Sequence, residues 1–422
     1  MREELLIALV MLGVVVVGSV LTKNNKKRAV LVLLLAALAG SLTAGMGVRF
    51  REIVEGPFGF LDAALSVVCA AILVRALEKA GAFDALLERI LGIKSRTLRA
   101  LCMALLIALP GMLTGLASVS VVTTGALVGK RMKAAGVAQE KIARTVIVGS
   151  FLGMMLPPNC LPAIIAANGA GSVLPTPYVG FFLPLLVMSL PAFAVYVLTC
   201  RDTLAFEAPA QEGKSAKLAL TVLALVALAV LVEGLLSSVV YIGGSALYFT
   251  VAALVLLFSC GGAKKALDTA SVGLMDAAIP VALMFALGSF IEVSSMTGVR
   301  GYYSLLILGT DTSVVMLIQM ALMLLLGLVL GTPLPAFLAT YAVFPIGWLA
   351  NTVIVTGVAS ALGAAHLLAM RGGLTEEACT ALALDGVSWK HTIRSLLLPA
   401  ALVLAMGVIM VVFGDSMTAL IL

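Results

Sequence analysis

Oxygen-bearing side chains and helix-breaking residues gather at four places in an otherwise apolar chain. The stretch 107–129 carries Pro110, Gly111, Thr114, Gly115, Ser118, Ser120, Thr123, Thr124 and Gly125 at its centre. Pro157, Pro158 and Asn159 form the second place, Gly331, Thr332 and Pro333 the third, and Arg371, Gly372 and Gly373 the fourth, with Glu376 close behind. Breaking a helix frees carbonyls on one side and N–H groups on the other. Free carbonyls and hydroxyls suit a hard cation such as Na⁺, and free N–H groups suit a carboxylate. The chemistry expected is therefore coordination and release. Bond-making is not expected, since no nucleophile–base pair and no phosphate-binding loop stands out.

Each of these residues also has a plainer role. Ser and Thr in membrane helices often bond their own backbone or help packing, and Pro-Pro can be a mere kink. Clustering at a Gly-rich tip is what points to ligands. Intramembrane carboxylates are costly and so functional by default. Asp62 and Asp276 fall near the ends of apolar runs and are candidates for coupling or anion contact, with Glu233 a weaker one. Residues 371–394 admit two readings: a cytoplasmic loop in which Glu376 and Glu377 open a solvated helix, or a half-helix dipping into the core, where Arg371 pairs with Glu376 or meets an anion.

The elements that must hold these groups are membrane helices. The chain has 422 residues, of which 62% are hydrophobic and 11% charged, with a mean hydropathy of +1.17. Long continuous apolar runs recur, which predicts an all-α polytopic membrane protein rather than an alternating barrel. The net charge of +6 sits in a few loops; this is a topology signal and not a nucleic-acid surface. The six cysteines are scattered with no C-x-x-C pair and the histidines number two, so neither disulfides nor a transition-metal site is expected. The first apolar run has acidic residues before it and basic residues after it, the reverse of a signal peptide. It reads as a retained helix.

Apolar spans are expected near 5–21, 29–46, 59–76, 145–168, 177–199, 217–236, 239–259, 270–293, from 352, and at 395–416. The stretch 97–129 has basic residues on both flanks: Lys94, Arg96 and Arg99 before it, Lys130, Arg131 and Lys133 after it. Positive loops stay on the cytoplasmic side, so this stretch is predicted to enter, turn near 114–120 and return as a re-entrant hairpin. A second interrupted segment, 313–350, is expected to enter from the other face. With this topology every strong basic cluster lies inside, and both termini lie outside.

The two halves correspond. Gly59-Phe-Leu-Asp62 recurs as Gly273-Leu-Met-Asp276, Glu78 falls opposite Glu292, and Leu113-Thr-Gly115 opposite Leu330-Gly331. Pro157-Pro158 falls opposite Gly372-Gly373, and Phe182-Leu-Pro184 opposite Leu398-Pro399, all at a nearly constant separation. The expectation is two inverted repeats of five spans, 1–200 and 217–422, joined by a cytoplasmic linker at 201–216. Each repeat has one re-entrant hairpin and one broken helix. Such repeats mark secondary transporters, with the site at the repeat interface near the bilayer midplane. Sodium would lie at the hairpin tips and broken helices, with no other cofactor and no enzymatic activity.

Several stretches resemble the large membrane subunit of TRAP transporters, the tripartite ATP-independent periplasmic transporters, within the ion transporter superfamily. They are Glu78-Lys-Ala-Gly81, the run 114–125, Gly153-Met-Met-Leu-Pro-Pro-Asn159, Tyr178-Val-Gly-Phe-Phe-Leu-Pro184 and the run 386–399. The resemblance implies an elevator mechanism in a bacterial inner membrane. It also implies Na⁺-driven import of an organic anion such as a C4-dicarboxylate, a small four-helix membrane partner and a soluble periplasmic binding protein. The chain departs from the family where Arg371-Gly372-Gly373 stands in place of a second Pro-Pro, and where the tip 331–335 lacks an acidic residue. A proton-coupled carrier or antiporter using Asp62, Asp276, Glu376 or Glu377, or a carrier working as a single-component homodimer, stays open beside the sodium reading. So does a passive channel.

Overall fold

The computed structural model describes residues 2–22, 26–169, 178–208, 216–236, 244–259, 261–330, 351–369, 373–384, 387 and 389–421. Among these every regular element is a helix. Lipid offers no partner to a backbone N–H or C=O, so an apolar chain of this kind satisfies its backbone within each segment. Seven helices are long and apolar enough to cross a membrane, and four shorter apolar ones accompany them.

The first half runs α1 (Arg2–Leu21), α2 (Lys26–Thr43), α3 (Phe50–Glu55), a 3₁₀ turn (Gly56–Phe60) and α4 (Leu61–Lys79). It continues with α5 (Ala82–Leu91), α6 (Arg96–Thr114), α7 (Ala117–Ser120), a π turn (Val121–Gly125) and α8 (Ala126–Ala134). Then come α9 (Gln139–Met155), α10 (Leu161–Gly169), α11 (Phe182–Thr199) and α12 (Arg201–Leu204). The second half holds α13 (Lys217–Leu235), α14 (Ser245–Ser259), α15 (Ala263–Met296), α16 (Val299–Ile307), α17 (Thr312–Leu330), α18 (Thr352–Leu368), α19 (Leu374–Ala381), α20 (Trp389–Val412) and α21 (Gly414–Ile421).

Two elements were not expected from sequence. α5 and α16 are short amphipathic helices, each entered through a left-handed glycine: Gly81 at φ 76° and Gly298 at φ 78°. Only glycine adopts that conformation freely. The chain thus turns sharply off the long helices α4 and α15. Asp62 lies exposed in α4, within the helical stretch Phe50–Lys79, and Asp276 lies half-buried within the 34-residue α15.

The helices pack as two bundles. In the first, α4 lies between α14 and α15, with α1, α2 and α3 outside. α4 and α15 touch backbone to backbone: a Cβ added to Gly273 would stand 2.6 Å from Cα of Ile72. Small residues are what permit such closeness in membranes. In the second bundle α6 packs on α9, and α18 packs on α10, α17 and α20. The bundles meet where α4 lies against α6.

Candidate functional site

α6 starts at Ser95, whose hydroxyl accepts from Leu98 N, and ends at Gly115 with φ 71°. The chain then reverses through α7, the π turn and α8, which pack back on α6 or on one another. The stretch 97–129 is therefore a helical hairpin. Pro110 has no N–H and loosens the helix ladder around it. The returning arm bonds that region. Ser120 Oγ accepts from Gly111 N at 2.6 Å and lies 3.5 Å from Ala108 O, and Thr124 Oγ1 donates to Ile107 O at 3.2 Å. Thr114 Oγ1 donates to Pro110 O at 2.7 Å and accepts from Leu116 N at 3.1 Å. Thr123 Oγ1 donates to Val119 O at 2.6 Å. Most of the hairpin hydroxyls thus hold backbone. Ser118 differs: it is half-buried and has no hydrogen bond among the described residues.

The expected break is present between α9 and α10. Leu156 is extended, the Pro157–Pro158 bond is cis, and the helix resumes at Leu161. Asn159, fully buried, docks this break onto the hairpin tip. Its backbone N–H donates to Met112 O at 3.2 Å and its Nδ2 to Leu113 O at 2.6 Å. Those are the last-turn carbonyls of α6, which have no partner inside the helix. Close helix packing supports the junction. Gly153 faces Ala108, and a Cβ on Gly111 would lie 3.0 Å from Met154 N. Gly115 sits against Asn159 O and Leu161 N.

Sequence reading missed the third partner. Ser66 of α4, 1% exposed, places its Oγ 3.1 Å from Asn159 Nδ2, 3.3 Å from its Oδ1 and 2.7 Å from Ser245 Oγ of α14. The first bundle thus reaches the site through two serines. A lone serine in an Ala-rich helix carries no pattern, so nothing in the sequence marked it.

In the second half α18 ends at Leu368 and α19 begins at Leu374, so the chain is interrupted there too. Gly373 is buried and extended at the N-terminus of α19. Leu374, Thr375 and Ala378 are buried, and α19 packs on α9, α7 and the π turn. Residues 374–381 therefore form a half-helix inside the second bundle rather than an open loop. Glu376 points outward, and Glu377 is half-buried. The halves interlock: α10 packs on α18, and α19 packs on α9. Two fully or nearly buried hydroxyls in this region, Ser150 Oγ on α9 and Thr375 Oγ1 on α19, have no hydrogen-bond partner among the described residues. Gly331, Thr332, Pro333, Arg371 and Gly372 lie outside the described residues.

Two ion pairs lie on the helices around this junction. Asp276 is held by Arg75 of α4 through Nε at 2.6 Å and Nη2 at 3.1 Å, and Arg75 Nη1 also donates to Glu78 at 2.7 Å. Arg131 of α8 pairs with Glu88 of α5, tying the hairpin base to the short arm helix. No group of three or more metal-ligating His, Cys, Asp or Glu side chains occurs among the described residues.

No family model and no curated protein matches the chain. Among solved structures it is similar to the YdaH transporter of Alcanivorax borkumensis, whose crystal structure is described as revealing an unusual topology. The TM-score is 0.60 at 15% identity, over 87% of this chain and 88% of that one. At that identity the likeness is one of fold. The chain shares the all-helical fold of that membrane transporter, and among its described residues seven helices are long and apolar enough to cross a membrane. The TRAP resemblance is not carried by these comparisons, which lead to a transporter of another name.

Proposed function

We propose that the protein is a sodium-coupled secondary transporter of a small organic anion. In this reading the second bundle carries the hairpin and both broken helices across the membrane as a unit against the first bundle. One observation supports it above the others: the hairpin tip is docked on a broken helix by Asn159, and the groups that make this junction are neutral. Ser118, Ser150 and Thr375 are the hydroxyls there that no backbone group occupies. Neutral oxygens bind Na⁺ and release it; a broken helix end supplies N–H groups to a carboxylate. The reciprocal packing of α10 on α18 and α19 on α9 favours inversion of the two repeats. A proton-coupled route has less support, because Asp276 is committed to Arg75 while Asp62 and Glu376 are exposed.

The test is uptake of labelled C4-dicarboxylates and related organic anions into liposomes holding the purified chain. An inward Na⁺ gradient is expected to drive accumulation, and preloaded liposomes to show counterflow. Uptake driven only by a pH gradient would replace sodium with protons; flux without counterflow would mean a channel.

A further inference from the structure

A small pocket of about 10 Å³ lies between α9, α11 and α20, away from the hairpin tip, and its wall includes Arg144, Val148, Tyr196, Thr199, Leu398 and Leu402. Its polar groups are mostly spoken for. Tyr196 Oη donates to Thr145 O at 2.8 Å, and Thr199 Oγ1 donates to Tyr196 O at 3.3 Å. Arg144 is the exception. Its guanidinium has no ion pair or hydrogen bond among the described residues, and its Nε is buried without a partner. A half-buried guanidinium left unpaired is costly, and its planar fork fits phosphate or carboxylate oxygens bidentately.

The pocket's position selects the ligand. Arg144 stands five residues into α9, roughly one and a half turns from the helix start. Thr199 and Cys200 close the end of α11 beside it. The same helix ends carry exposed Lys141, Arg201 and Arg394, with Asp202 engaged by Arg96 at 3.5 Å. Below this basic collar the wall is apolar, with Val148, Val195, Leu398 and Leu402, and it reaches the outer surface at Leu398, which is 47% exposed. A cation at the membrane boundary above an apolar, outward-facing slot matches a phosphodiester headgroup with its acyl chains beneath. Basic pockets between membrane helices bind anionic lipids in this way.

We propose that Arg144 is the anchor of an anionic-phospholipid site, with the phosphodiester on its guanidinium and an acyl chain along Leu398 and Leu402. The site does not depend on what the protein transports.

The test uses the purified full-length chain in detergent, melted with added phosphatidylglycerol, phosphatidylcholine or inorganic phosphate. Phosphatidylglycerol is expected to raise the melting temperature of the wild type, and phosphatidylcholine to leave it unchanged. Arg144→Gln is expected to weaken phosphatidylglycerol binding on the order of tenfold, the loss of a charge-assisted contact. Leu398→Trp, which fills the slot and leaves the charge, is expected to weaken it too and guards against a variant that fails to fold. Equal stabilisation of wild type and Arg144→Gln by phosphatidylglycerol overturns the site. An equal effect of inorganic phosphate alone overturns the lipid as its occupant.

Discussion

At the crossing of α4 and α15 the buried polar atoms are charged; where the hairpin tip meets the break between α9 and α10 they are neutral. Arg75 grips Asp276 with two hydrogen bonds, at side-chain exposures of 15% and 19%. Asn159 holds the tip through an amide and a backbone N–H, with hydroxyls around it. An ion pair in a low-dielectric surround is expensive to form and expensive to separate. It suits a place where two helices keep one register. Neutral oxygens bind each other weakly and can trade a partner for a cation, which suits a place where something arrives and leaves.

The contrast is most open to attack at the ion pair. Arg75→Ala strands Asp276 and is expected to cost about 3–5 kcal/mol, seen as a large drop in melting temperature and in folded protein. Restoring most of the loss with the double variant Arg75→Met, Asp276→Leu would mark the pair as structural. Proton-driven uptake abolished by Asp276→Asn in a well-folded protein would instead move function into the first bundle.

Asn159→Ala probes the neutral side. It leaves Leu113 O without its amide donor, a loss of about 1–3 kcal/mol. Transport is expected to fall more steeply than the melting temperature, because the tip no longer seats on the break. Equal decline of both would reduce Asn159 to packing. The smallest effect sharpens the comparison from outside. Arg51 and Glu55 pair at 2.7 Å on the surface, with side-chain exposures of 81% and 48%. Arg51→Ala is expected to leave melting temperature and uptake unchanged, since exposed pairs contribute little.

Which features were legible follows from the same chemistry. The hairpin and the first break stood out because Pro, Gly, Ser and Thr interrupt apolar runs, and basic flanks fixed both ends of the hairpin on one side. Asn159 stood out beside Pro157 and Pro158, but its partner Ser66 did not, being far away in sequence and unremarkable in type. Arg75 was hidden by its neighbours. It sits at the end of an apolar run and reads as the start of a basic loop, whereas α4 extends to Lys79 and keeps it half-buried. α5 and α16 were missed for a related reason: amphipathic helices of nine or ten residues are too short to read as spans and look like loops until a left-handed glycine is seen to launch them.

The interlock of α10 with α18 and of α19 with α9 bears on how the chain is made. Each half-helix finds its wall in the other half of the sequence, so α9 and α10 enter the membrane before their counterpart exists. Contacts between segments so distant in sequence form late and slowly. Until α18 is synthesised, the polar break at Pro157 and Asn159 has the hairpin tip and Ser66 of α4 to cover it from within the first half. The bond between Asn159 and Leu113 joins two segments of the first half, so it needs nothing from the second half to form.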